Sequence, residues 1–234
     1  MAGYYRKGPA TGSPVSRVGL DIETFPTDAA WEAPYDASTR TPPKNLKDPD
    51  KIAAWYDKDR DEWEASRSDS ALSWLTGRVA MVAIYTPDGK SQVMTAKTEA
   101  EEPAVLDAVQ QSVLGQRLYT WNGRDFDLRF LIGRLLLRRV TPLRGLATGW
   151  FKKWNTPEHY DVRWGLMGGV WAKGTLKEVA AAFGLPTTGT AIANGAEAVR
   201  AMREGRWSEV EPYCLQDAQW THQLGVMAEQ AGLE

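Results

Sequence analysis

Cysteine and histidine are almost missing from this chain of 234 residues, which has one cysteine, Cys214, and two histidines, His159 and His222. A single thiol excludes an internal disulfide and any cysteine-rich zinc cluster. Two histidines are too few for a histidine-rich metal centre. No stretch approaches the ~18 apolar residues of a membrane-spanning helix. The opening residues, Met1-Ala-Gly-Tyr-Tyr-Arg-Lys7, lack the apolar core of a secretion signal, so a cytoplasmic compartment is expected. What is present is ordinary for a globular protein, with 43% hydrophobic and 25% charged residues. This length suits one substantial core, read as a single domain over 1–234.

The net charge of −2 argues against a protein that coats nucleic acid nonspecifically. Its distribution is uneven. Between Gly115 and Trp154, nine Lys and Arg residues stand against only Asp125 and Asp127. Such a stretch can focus a polyanion onto one surface. A solvated helix face balanced by acids elsewhere fits the same count.

Residues 1–15 are rich in Gly, Pro and Ser and read as a flexible arm. Arg17–Glu23 reads as the first strand. Residues 28–76 then form an excursion rich in Trp and Pro, with loop chemistry at Thr41-Pro-Pro-Lys-Asn45. A charged helix from Asp50 follows, carrying Ile52, Trp55, Tyr56 and Trp63 on one face. An excursion this long between core strands is expected to be functional or mobile. Gly77–Tyr85 and Ser91–Ala96 read as a hairpin across Pro87-Asp-Gly89. A helix is expected from Thr98, with Glu101 completing a capping box. A strand at Arg117–Trp121 leads to a helix over Phe126–Arg138, with Asp125 as its N-cap. His159–Val162 reads as a short strand. Thr175 and Glu178 suggest a second capping box, and helices near Gly195–Glu204 and Ser208–Gln230 end the chain. Strands first and helices interleaved after them point to one α/β domain.

Three clusters carry possible chemistry. In Gly19-Leu-Asp-Ile-Glu-Thr-Phe25, Asp21 and Glu23 sit at i and i+2 of a strand, so both point to one face. Carboxylates that close repel each other unless a cation lies between them, and oxygen ligands suit Mg²⁺ or Mn²⁺. Asp127 stands where a strand turns into a helix, at Trp121-Asn122-Gly-Arg-Asp-Phe126-Asp127. In α/β sheets ligands bind at that end of the strand, although a helix-start acid is equally common. Tyr213 and Asp217, at i and i+4, share one helical face. Each cluster alone has an ordinary structural explanation.

In this order the three clusters resemble the motifs of the DEDD exonuclease superfamily, whose fold is ribonuclease H-like. Tyr213 makes the chain similar to the DEDDy branch; the sister branch would place a histidine at Pro212. Pro42-Pro-Lys-Asn-Leu-Lys-Asp-Pro49 and Thr76-Gly-Arg-Val79 resemble phage stand-alone exonucleases related to family-B polymerase proofreading domains. That kinship suggests a phage or bacterial source. It also implies a mixed five-stranded sheet flanked by helices, with the 28–76 insertion packed on or over the site.

The resemblance further implies two Mg²⁺ or Mn²⁺ ions held by Asp21, Glu23, Asp127 and Asp217, with Tyr213 orienting the attacking water. The reaction would release nucleoside 5′-monophosphates from a single-stranded or frayed 3′ end, DNA being favoured over RNA. A DNA polymerase is the candidate protein partner, in replication, repair or proofreading. Thr24, Phe25, Asn122, Arg124 and Arg129 are candidate substrate contacts, although Phe25 suits a core position equally well. Asp161 is expected to be structural or to support the ligands. The alternatives are a 3′–5′ exoribonuclease, a non-catalytic nucleic-acid-binding accessory of a polymerase complex, and a metal-dependent endonuclease on the same fold.

Overall fold

A computed structural model describes residues 16–142, 156–168 and 173–233. The expected arm at 1–15 lies outside these residues, as do Arg144, Lys152 and Lys153 of the basic stretch. Five strands form one mixed sheet: β1 (Arg17–Pro26), β2 (Gly77–Tyr85), β3 (Gln92–Thr95), β4 (Arg117–Thr120) and β5 (His159–Asp161). Their order is β3-β2-β1-β4-β5. β1 pairs antiparallel with β2 and parallel with β4, which places it centrally.

Alternation along β1 assigns its two faces. Val18, Leu20 and Ile22 enter a core with α3 (Glu102–Val113) and α4 (Asp127–Leu137), through Leu106, Val109, Leu128 and Leu131. Gly19, Asp21 and Glu23 face the opposite layer by the same alternation. That layer holds α7 (Gly195–Arg203) and α8 (Trp207–Gln230). There Met81 and Ala83 of β2 pack with Val199, Met202, Cys214 and Ala218. A third cluster, Tyr119, Tyr160, Trp220 and Leu224, closes the β4–β5 end. The helices α5 (Val162–Met167) and α6 (Leu176–Ala182) lie beside it.

The excursion folds as a short helix α1 (Asp28–Glu32), the long α2 (Pro49–Ser66) and a 3-10 helix over Arg67–Leu72. Its aromatic residues largely pack on one another: Trp63 lies 5.7 Å from Tyr35, whose hydroxyl donates to Asp59 at 2.8 Å.

Two helix starts differ from expectation. α3 begins at Glu102 rather than Thr98 because Pro103 sets the first turn. Glu101 still reaches back to the Lys97 and Thr98 amides, at 2.7 and 3.0 Å. Asp125 does not cap α4. Phe126 occupies that position without a side-chain cap, and Asp125 faces Arg129 at 3.8 Å. The capping box of Thr175 and Glu178 forms as expected.

Most of the described basic stretch is neutralised internally by acids from elsewhere in the chain, the second of its two readings. Arg134 and Arg138 both donate to the fully buried Glu102, and Arg138 also to Glu99. Arg117 pairs with Glu229 at 2.7 Å. Glu102 in addition accepts from the Val79 amide at 2.8 Å. Val79 lies where the β1–β2 register shifts, between Glu23 and Thr24. The residue skipped at that shift is Ala80, and the buried Glu102 carboxylate holds the amide next to it.

Candidate active site

Glycine brings the two motif-bearing elements together. A Cβ on Gly19 would stand 2.0 Å from the Ala218 carbonyl oxygen, so α8 crosses β1 in near backbone contact. That crossing sets Asp217 and Tyr213 beside Asp21 and Glu23. Between them, the buried Cys214 thiol faces the Asp21 carbonyl oxygen at 3.7 Å. Asp127 arrives from the other side, in the first turn of α4.

The turn before α4 needs a left-handed residue, and Asn122 supplies it at φ 65°. Asp161 clamps that turn. Its carboxylate accepts from the Asn122 and Arg124 amides, at 3.2 and 3.0 Å, and caps α5 through the Trp164 amide. Asp161 therefore shapes the loop that delivers Asp127.

One cleft of about 500 Å³ is lined by Asp21, Glu23, Asp127, Tyr213 and Asp217 together. Crowding and burial leave these acids poorly solvated, Glu23 being 8% and Asp127 4% exposed. Burial is the main cause that pushes the Asp21 and Glu23 carboxyls well above the usual range, with Asp217 and Asp127 adding repulsion. Burial also pushes Asp127 up to about 7, against hydrogen bonds from its own amide and that of Ile22. Asp217 is pushed up to about 6, again chiefly by burial, while the Tyr213 hydroxyl and Lys177 oppose the rise. Burial and the neighbouring carboxylates keep Tyr213 protonated, so its hydroxyl donates to Asp217.

This arrangement fits divalent cations. Buried carboxylates cost free energy unless something positive compensates them. Asp21 Oδ2 is buried without a hydrogen-bond partner among the described residues. Asp21, Glu23 and Cys214 present ligand atoms within 4.8 Å of one another. The Cys214 thiol is pushed well above its ordinary range by burial and the adjacent acids, so it stays a protonated, poor ligand. The oxygen donors that remain are those of a hard-cation site.

The candidate substrate contacts divide. Thr24 and Asn122 line the cleft. Phe25 turns away from it, packing 6.0 Å from Trp31 and 6.3 Å from Trp207 with the Arg78 guanidinium over its ring. Arg124 is buried with its guanidinium 4.8 Å from the Trp164 ring. Arg129 donates to the Arg124 carbonyl at 2.9 Å and borders an apolar groove on α4. Neither arginine is among the cleft residues: Arg124, before the start of α4, stacks on Trp164, and Arg129 turns back to the Arg124 carbonyl.

Sequence reasoning did not single out four polar cleft neighbours: Ser68, Asp69, Arg163 and Lys177. Arg163 had a signal, lying two residues past Asp161 at the end of a strand. The others are brought in by the return of the excursion and by the start of α6, which carry no local mark of the site.

Residues 75–228 match the family described as "Predicted 3'-5' exonuclease related to the exonuclease domain of PolB". In three dimensions the chain is similar to a family B DNA polymerase from the hyperthermophilic archaeon Pyrobaculum calidifontis, with TM-score 0.57 and 16% identity. The likeness covers 92% of this chain and 24% of that one, so the chain spans about a quarter of the polymerase. No curated protein matches the sequence. The mixed sheet flanked by helices is the ribonuclease H-like architecture of such exonuclease domains.

Proposed function

The chain belongs to the family of predicted 3′–5′ exonucleases related to the exonuclease domain of PolB, and from that premise we propose a DEDDy-type 3′–5′ exonuclease that depends on two divalent ions. The observation that carries this reading is the meeting of Asp21, Glu23, Asp127, Asp217 and Tyr213 in one cleft.

Asp21, Glu23 and Asp217 would hold one Mg²⁺ or Mn²⁺, and Asp21 with Asp127 the other. When bound, such a pair neutralises the carboxylates, activates water and stabilises the leaving oxygen. The chain's own groups position the reactants. Tyr213, kept protonated by its surroundings, donates to Asp217 and would orient the attacking water through its hydroxyl oxygen as acceptor, not as a base. Asn122 and Thr24 edge the cleft where the terminal nucleotide would lie. Water adds to the terminal phosphorus, the 3′-oxygen of the preceding nucleotide leaves and takes a proton, and a nucleoside 5′-monophosphate is released.

Single-stranded or frayed DNA is the proposed substrate, and a polymerase the proposed partner in proofreading or repair. Both readings draw support from the kinship with polymerase-associated domains. The insertion, which lends Ser68 and Leu72 to the cleft wall, is read as packing against the bound strand.

The test is digestion of 3′-labelled single-stranded DNA, mismatched duplex and RNA with Mg²⁺ or Mn²⁺, each with an EDTA control. We expect stepwise release of 5′-mononucleotides, blocked by EDTA and lost in Asp217→Ala. Normal turnover by cleanly purified Asp217→Ala would refute the mechanism. Faster digestion of RNA would move the assignment to an exoribonuclease, and cleavage of circular substrate would indicate an endonuclease.

A further inference from the structure

Outside the cleft, the excursion and α7 meet through a stack of rings and guanidiniums. The Arg67 guanidinium carbon lies 4.7 Å from the centre of a Trp31 ring and 4.9 Å from that of Trp63. The Arg203 carbon lies 4.5 Å from the same Trp31 ring. Trp31 in turn packs against Phe25, two residues past Glu23. The stack borders the cleft on two sides. Arg67 directly precedes Ser68, which lines the cleft, and Arg203 lies one helical turn beyond Val199, which also lines it.

The two arginines differ from Arg40 and Arg60 of the excursion. Arg40 pairs with Asp59 and Arg60 with Asp57. Among the described residues neither Arg67 nor Arg203 has a carboxylate in ion-pair range, and the buried Arg67 Nε has no hydrogen-bond partner. Two like charges gathered on one indole without a counter-ion repel each other. Stacking on rings repays part of that cost. It also orients each guanidinium, and apart from the buried Arg67 Nε the in-plane N–H donors stay open to an incoming anion, the geometry that suits phosphate.

We propose that Arg67 and Arg203, held over Trp31, grip backbone phosphates of a nucleic-acid strand outside the cleft, upstream of the end being removed. The proposal rests on the nuclease reading for the direction of the strand, but not for the phosphate contact itself. With an indole already engaged by guanidiniums, the site reads backbone and not base, so it is indifferent to sequence.

The experiment measures binding of a fluorescein-labelled 12-mer of thymidylate by anisotropy across a NaCl series, in an Asp217→Ala background that prevents digestion. Arg67→Gln/Arg203→Gln is expected to bind at least ~10-fold more weakly, since each lost charge-assisted contact is substantial. The slope of log affinity against log salt should shrink by about 1.4, or about 0.7 per phosphate contact on a single strand. Arg67→Lys/Arg203→Lys keeps the charges without the stack and should retain most of the slope. An unchanged slope in the Gln variant, or a Lys variant whose slope falls as far as the Gln one's, would mean that the stack only fastens the excursion to α7 and would overturn the proposal. Thermal melting identifies variants that fail to fold, and the Lys pair then decides. With active enzyme, the preference in kcat/KM for a 12-mer over a dinucleotide should fall in the Gln pair. A wild-type chain that binds the 12-mer through these arginines but releases no mononucleotide keeps this inference and loses the nuclease reading. A chain that does not bind the strand at all overturns the inference, whatever its hydrolysis.

Discussion

Asp127 concentrates the energetic conflict of the site in one side chain. It is nearly buried, and its carboxyl is pushed up to about 7. A group of that kind weakens the fold once ionised. Replacing it with the neutral isostere should therefore stabilise the metal-free protein while removing a proposed metal ligand. We expect Asp127→Asn, at pH 8 with EDTA, to melt about 3 °C or more above the parent, equivalent to ~1 kcal/mol for a chain of this size. Hydrolysis with Mg²⁺ should fall by orders of magnitude in the same variant. A melting point below the parent would show that its amide contacts outweigh the cost of burial. Tyr213→Phe makes the complementary test. It removes the hydroxyl donated to Asp217 but no carboxylate, so metal affinity by calorimetry should hold while kcat drops by up to ~100-fold, the scale of a misplaced reactant. An unchanged kcat would remove Tyr213 from the mechanism.

At the scale of elements, two contacts decide whether the acids converge. The first is the β1–α8 crossing at Gly19. Any side chain there meets the Ala218 carbonyl, which is backbone and cannot rotate away. Gly19→Ala should force α8 off the sheet, cost about 1–3 kcal/mol in urea unfolding as overpacking does, and separate Asp217 from Asp21. Activity should fall further than stability; full activity in the variant would refute this account of the crossing. The second is Glu102, which ties α3 to α4 through Arg134 and holds the Val79 amide beside the β1–β2 register shift. Glu102→Ala leaves Arg134 buried without its partner and should cost about 3–5 kcal/mol, read as a lower denaturation midpoint. Neither contact could be foreseen from local pattern. A glycine in a strand signals close approach without naming what approaches, and no local pattern sets Glu102 apart from Glu99 and Glu101.

For the whole molecule, the four raised carboxyls make stability depend on pH. Their folded values lie above those of the unfolded chain, so the stability they confer is present below about pH 4. It is lost as pH rises through about 6 for Asp217 and about 7 for Asp127. The metal-free protein should therefore melt lower at pH 8 than at pH 5, and excess Mg²⁺ or Mn²⁺ should narrow that difference by stabilising the ionised form. Melting curves at the two pH values, with EDTA and with metal, check this; an equal effect of the cation at both would count against carboxylate ligands. No helix among the described residues is long and apolar enough to cross a membrane.

The order of motifs, the α/β class and the boundaries of most strands followed from sequence, because alternation, capping and turn chemistry act over a few residues. Gly77–Tyr85 was legible to the residue, and Asp21 and Glu23 could be paired on one strand face before any coordinates existed. Arg124 and Arg129 show where that reach ends: nearness to Asp127 along the chain says nothing about which way they turn, and Arg124 stacks on Trp164 while Arg129 donates to the Arg124 carbonyl. Trp31, Arg67 and Arg203 are far apart in sequence and meet only because the excursion packs against α7. Sequence alone determined the acid pair and the kind of fold that could complete it. Tertiary structure decided the rest, since desolvation, charge crowding and the contact of α8 with β1 exist only between segments that the chain brings together from a distance.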